Sequence, residues 1–299
     1  MLFLKNLTLR FLWLFTFIPS VFADQYPFNY QIDIQHYTFN LTLSDDTDEI
    51  IGITSIKILF KSNDVSRFRI DLASKTKERL GKGMNVSSVK SEDTQLKYRH
   101  QNDALIIKMD QPAHEGEIRT FIVQYVGIPE AGLEIKNNRF GDRTFFCESW
   151  PNNTRHWLPT IDHPYEKATV EFKIIAPAKY KVVSNGLLIE ESLLDRNRKF
   201  THWRQSVPVS CWLFMLGIAE FAVQRVGTFE GKSIQSWVYA KDRKAGFYDF
   251  AHITKDVLEF FSHYVGPFAY EKLANIESSS LTGGAMETAS AIIYAENLI

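Results

Sequence analysis

Alternation of apolar and polar positions dominates the first two thirds of the chain. Tyr37, Phe39, Leu41 and Leu43 alternate with His36, Thr38, Asn40 and Thr42. Successive side chains of a strand point to opposite faces, so this period of two turns one set toward a core and the other toward water. Ile50 to Phe60 is a long run rich in β-branched residues, and the alternation returns in Phe121, Val123 and Tyr125 and in Val170, Phe172 and Ile174. Phe200 to Arg204 and Trp212 to Ile218 read as further strands. Ser184-Asn185-Gly186 reads as a tight turn that joins Lys181–Val183 to Leu187–Ile189. Many short strands separated by turn signals predict a mainly β domain, a sandwich or curved sheet, over residues 24–240.

The period changes near Lys241. Phe250, Ile253, Val257, Phe261 and Tyr264 fall three or four apart, which predicts an amphipathic helix ended by Gly266-Pro267. Leu273 to Ile276 reads as a strand, Ser278 to Gly284 as a turn-rich stretch, and Ala289 to Tyr294 as extended again. Residues 241–299 are therefore expected to be the opening elements of an α/β or α+β domain.

The first 23 residues carry a different pattern. Lys5 and Arg10 precede a short apolar run from Phe11 to Ile18, and Val21-Phe22-Ala23 offers small residues where signal peptidase cuts. Arg10 and Pro19 bound a run too short for a span of ~20 residues. A cleaved signal peptide over 1–23 is expected, with export to a periplasmic or extracellular space and no transmembrane span afterwards. Removing Lys5 and Arg10 takes the 34 basic residues to 32 against 35 acidic ones, a net charge of -3. That balance argues against nucleic acid as a partner. The two cysteines, Cys147 and Cys211, are too few for a disulfide framework and read as buried free thiols.

No catalytic residue or metal ligand stands out. A helix-borne H-E-x-x-H would put two imidazoles on one face around a metal, yet none of the eight histidines has another four residues on. The phosphate-loop and nucleophile-elbow patterns are also missing. One segment holds interest: Leu281 to Tyr294 reads LTGGAMETASAIIY. Gly283, Gly284 and Ala285 present almost bare backbone, along which an extended peptide gains main-chain hydrogen bonds. Glu287 beside them supplies a carboxylate able to hold a free α-ammonium. The pattern alone fits a glycine turn beside a solvated glutamate equally well.

Gly284-Ala285-Met286-Glu287 and the apolar run that follows resemble the G-x-M-E-N exopeptidase motif of the aminopeptidase N family of zinc metallopeptidases. Upstream, Arg155 to Pro164 is similar to that family's R-x-W/F-x-P-x-x-D-x-P segment, and Lys167 to Phe172 to its next strand. The resemblance runs from about Tyr26 to Ile299. It implies a saddle-like β N-terminal domain over 24–240, followed over 241–299 by the truncated start of a thermolysin-like α/β catalytic domain. It further implies a zinc-dependent aminopeptidase that acts on peptides with a free N-terminus. The family's H-E-x-x-H, its third ligand and its catalytic tyrosine would fall beyond Ile299, so Zn2+ is expected for the full-length parent and no zinc ligand in this chain. A non-catalytic peptide-binding or scaffold protein is the alternative. Carried over by motif, Glu287 binds the substrate's amino group, Glu148 in Phe146-Cys147-Glu148-Ser149 shares it, and Gly284, Ala285 and Met286 supply backbone contacts and pocket wall. Thr288 stands where the family usually has Asn, Thr160 replaces a common Cys, and His163 a common Glu.

Overall fold

The computed structural model describes residues 24–299, so the signal peptide expected over 1–23 lies outside the described residues. The chain is mainly β, as the alternation predicts. An eight-stranded sheet runs in the order Leu187–Leu193, Arg198–Val209, Ala168–Pro177, Ile32–Thr42, Ile50–Phe60, Ile118–Ile128, Gly83–Ser91 and Thr94–Gln95. Ile32–Thr42 and Ala168–Pro177 pair in parallel at its centre, with Phe39 opposite Phe172. Tyr37, Phe39, Leu41, Val170, Phe172 and Ile174 are all buried, on the face their period assigns them. Each such side chain contributes about 1.5–3 kcal/mol relative to exposure.

Two smaller sheets close that face. One holds Val65–Asp71, Ala104–Ala113 and Lys97–Gln101, and the other Lys181–Ser184, Leu216–Ala219, Arg143–Cys147 and Leu133–Asn137. The Arg155 to Pro164 segment ties them together. Arg155 Nε donates to Asp162 Oδ2 at 2.9 Å, the Asp162 amide donates to Asp71 Oδ2 at 3.0 Å, and Trp157 is buried. Cys147 and Cys211 are free and buried, as expected. Burial raises both thiols, Cys147 to about 12.

Three local expectations need correction. Of the strand read over Trp212 to Ile218 only the end forms one, Leu216–Ala219, because Cys211–Leu213 makes a 3-10 turn. Ser184-Asn185-Gly186 is a corner, not a hairpin turn. Lys181–Ser184 pairs with Leu216–Ala219, whereas Leu187–Leu193 pairs with Arg198–Val209 in the large sheet. Gly186 makes the corner feasible: its φ is +74°, and a Cβ there would sit 1.9 Å from the Arg204 carbonyl oxygen. The expected single helix is two, α1 (Arg243–Ala251) and α2 (Thr254–Val265). The break falls at Ile253, where the buried Asn275 donates to the carbonyl of Phe250 at 3.3 Å and to Thr254 Oγ1 at 2.8 Å. The apolar stripe therefore does not stay on one face. Phe250 and Leu258 are buried, while Ile253, Val257, Phe261 and Tyr264 are exposed.

A five-stranded sheet follows, in the order Phe221–Phe229, Lys232–Tyr239, Lys272–Ser278, Ala291–Ala295 and Ala285–Thr288. Its middle three strands are parallel and the outer pairs antiparallel. Gly246 of α1 lets that helix close on Val238: a Cβ there would come within 2.6 Å of the valine side chain.

Candidate substrate-anchoring site

Ala285–Thr288 is the outermost strand of the five-stranded sheet. It forms a hairpin with Ala291–Ala295, in which Met286 lies opposite Ile293 and Glu287 opposite Ile292. Met286 packs against the core, and by alternation Glu287 turns outward and is exposed. Thr288 Oγ1 donates to the Ala291 carbonyl at 2.9 Å, so the residue that departs from the family motif helps close the hairpin. Gly284 has φ +74°, which a glycine adopts without strain, and a Cβ at Gly283 or Gly284 would meet nothing within 4 Å. The bare backbone of Gly283, Gly284 and Ala285 thus borders open space.

Glu148 comes from the other side. It directly follows the strand Arg143–Cys147, and its amide donates to the Gly132 carbonyl at 2.9 Å, continuing the ladder. Thr144 and Phe146 on that strand face the five-stranded sheet. Thr144 Oγ1 is hydrogen-bonded to Ser279 Oγ at 2.7 Å, and the Phe146 ring lies 5.9 Å from that of Phe221. Alternation puts Glu148 on the same face, and Cys147 on the opposite one, where its Sγ lies 3.3 Å from the Phe214 carbonyl oxygen. Burial raises the Glu148 carboxyl above the ordinary value, and the nearby Glu134 carboxylate adds to the rise while Lys136 opposes it. A carboxyl raised in this way gains by taking a cation beside it.

The structure therefore brings Ala285, Met286 and Glu287 together on one edge strand, with Gly284 directly before it. Glu148 joins them only through the face it shares with Thr144 and Phe146, and the charged groups that shift it are Glu134 and Lys136, not Glu287. Among the described residues no group of three or more His, Cys, Asp or Glu is arranged to hold a metal ion. The residues present here do not fit zinc.

The hairpin is anchored to the first domain by residues that the hydrophobic pattern passes over. The Ala289 amide donates to the Leu213 carbonyl at 3.2 Å. Asn185, buried at the corner, donates from Nδ2 to the carbonyls of Leu213 and Ala289, and its Oδ1 accepts from the Met215 amide. Lys272 and Ser290, also buried, complete the contact. A lysine within a strand that has parallel neighbours on both sides is the signal that points to burial, since such strands are covered on both faces.

A model of the peptidase M1 N-terminal domain matches residues 33–213. The chain belongs to the M1 peptidase family. This M1 chain is 31% identical over 148 residues to glutamyl aminopeptidase of Rattus norvegicus, a stretch covering 49% of this chain and 15% of that protein. It is 26% identical over 219 residues to a probable aminopeptidase 1 of Sulfurisphaera tokodaii, covering 73% and 27% respectively. Its fold matches the crystal structure of an M1 zinc metallopeptidase mutant from Deinococcus radiodurans bound to a Tyr-Ser-Ala substrate. The TM-score is 0.76 at 21% identity, over 89% of this chain and 61% of that one. The M1 chain thus spans less than two thirds of each of these relatives.

Proposed function

We propose that this chain is the N-terminal portion of a zinc-dependent aminopeptidase, in which Glu287 and Glu148 hold the free α-ammonium of a peptide. One observation carries the reading: Glu287 is exposed on an outermost strand, beside backbone at Gly283 and Gly284 that borders open space. A peptide laid along that edge gains main-chain hydrogen bonds, and its ammonium gains charge-assisted ones. Residues 241–299, together with the strands Phe221–Phe229 and Lys232–Tyr239 that share their sheet, are the start of a thermolysin-like catalytic domain in this proposal. The relatives' names, two of them aminopeptidases, support it. Zinc, where bound, polarises a carbonyl and activates water. The part of this chain is to bind and orient the amine end.

The alternative is a non-catalytic peptide-binding or scaffold protein. The coding sequence downstream of codon 299 separates the two. An in-frame H-E-x-x-H a short way on supports the aminopeptidase, and unrelated sequence there supports the binding module. Export belongs to the same proposal and rests on the pattern of residues 1–23. No described helix is long and apolar enough to cross a membrane.

A further inference from the structure

Lys272 is fully buried, where a lysine is seldom found without a partner, and no salt bridge reaches it among the described residues. Its Nζ instead reaches the Ser184 carbonyl at 2.8 Å, Ser290 Oγ at 3.1 Å and the Ser290 carbonyl at 3.4 Å, and it lies 5.0 Å from the centre of the Trp203 ring. These groups come from three sheets or their connections. Ser184 ends a strand of the four-stranded sheet, Trp203 belongs to the eight-stranded sheet, and Lys272 begins the central strand of the five-stranded one. Ser290 sits in the turn between Ala285–Thr288 and Ala291–Ala295, with a left-handed φ of +65°. Its hydroxyl also accepts from the Gly186 amide at 2.7 Å, and the neighbouring Ala289 carbonyl accepts from Asn185 Nδ2 at 2.6 Å.

We propose that Lys272 is a positioning residue which, through Ser290 and the Ser184–Gly186 corner, fixes the Glu287 hairpin against the first domain. The claim rests on Glu287 being an amine-binding carboxylate. The turn sits two to three residues from Glu287, and its bonds to Lys272, Asn185 and Gly186 are buried, so the hairpin has one seating relative to the strand that leads to Glu148. Without the Lys272 amine, Ser184 and Ser290 each lose a donor, and the turn keeps only the Asn185, Leu213 and Gly186 bonds to elements outside its own sheet. A purely structural lysine predicts something else. Its removal would leave the buried acceptors unpaired, cost the fold as a whole and loosen the chain throughout.

The test uses the full chain as wild type, Lys272→Met, Ser290→Gly and the double variant. Glycine keeps the left-handed turn and removes the hydroxymethyl side chain. Backbone amide exchange is followed at residues 285–295 and, as internal control, in Ile32–Thr42 and Ala168–Pro177. The proposal expects each single change to speed exchange across Glu287 to Ile292 by about tenfold or more, with exchange in the control strands unchanged. The double variant is expected to go no faster than the singles, because both belong to one network. Unchanged hairpin exchange, or equal acceleration throughout the chain, overturns it. Titration with leucinamide, a minimal α-ammonium ligand, supplies the functional half. Lys272→Met is expected to weaken binding about tenfold, and unchanged affinity overturns the positioning role. If the wild type binds no leucinamide while the hairpin still loosens locally, the amine-site reading fails and the clamp itself is supported.

Discussion

Asn185 of the first domain donates from Nδ2 to the carbonyl of Ala289, 2.6 Å away, and so reaches the hairpin that carries Glu287. The contact depends on the corner beside it. Gly186 has φ +74°, and a Cβ there would meet the Arg204 carbonyl oxygen at 1.9 Å and its carbon at 2.4 Å. Gly186→Ala is expected to cost about 3 kcal/mol or more, as left-handed strain and a backbone clash combine. Urea unfolding checks this. A change within about 0.5 kcal/mol, the usual range for a surface site, would show that the corner is not fixed by the glycine.

The combined contribution of three buried groups, Glu277, Glu166 and Lys272, to stability should have a minimum near neutrality. Burial, followed by the hydrogen bond that its protonated carboxyl donates to Asp242, raises the Glu277 carboxyl from the ordinary 4.5 to about 8. Burial alone dominates at Glu166, which rises to about 7. For both, the folded state binds more protons than the unfolded one above 4.5. Their contribution is full below that pH and is lost as pH rises through 7 to 8. Lys272 works the other way. Burial lowers it from 10.5 to about 7, so its contribution is present above 10.5 and is lost as pH falls through 7. Their joint contribution should fall from pH 5 toward 7 and recover toward 10. Lys272→Met should flatten the alkaline limb, and Glu277→Gln, which keeps a donor for Asp242, the acidic one. Denaturant melts of wild type and both variants across this range decide it, and a variant profile that runs parallel to the wild type would be incompatible with these assignments.

Helix α2 should be the first part of this chain to associate or be cut. Phe260, Phe261 and Tyr264 are more than half exposed and Val265 is 81% exposed, a contiguous apolar surface on one short helix. Limited proteolysis is expected to cut within residues 243–265 and to leave the eight-stranded sheet whole. Phe261→Glu should raise the concentration at which the chain aggregates without moving its unfolding midpoint by more than about 0.5 kcal/mol. First cuts inside Ile32–Thr42 or Ala168–Pro177 would contradict this.

Much of the architecture is legible in the chain because its strands are long and one-sided. The alternation around Tyr37 and Phe39 and around Val170 and Phe172 gives both element and buried face. Other features depend on tertiary contacts that no local pattern holds. The corner at Gly186 looks like a hairpin turn because its sequence suits either, and only pairing to two different sheets decides between them. The helix breaks at Ile253 because Asn275, more than twenty residues away, takes the Phe250 carbonyl. At the candidate site the motif gives Gly284 to Glu287 directly. Lys272, Ser290 and Asn185 were invisible there because polar residues in a strand or turn read as solvent-facing until their neighbours are known.

The central claim is that Glu287 holds a peptide's free amino group. It is tested most directly by titrating the full chain with leucinamide and with N-acetyl-leucinamide, followed through the amide resonances of Gly284 to Thr288. The account predicts saturable shifts with leucinamide alone, and a loss of affinity of about tenfold or more in Glu287→Gln, the size of one charge-assisted hydrogen bond. Equal binding of the acetylated compound, or unchanged affinity in Glu287→Gln, would contradict it.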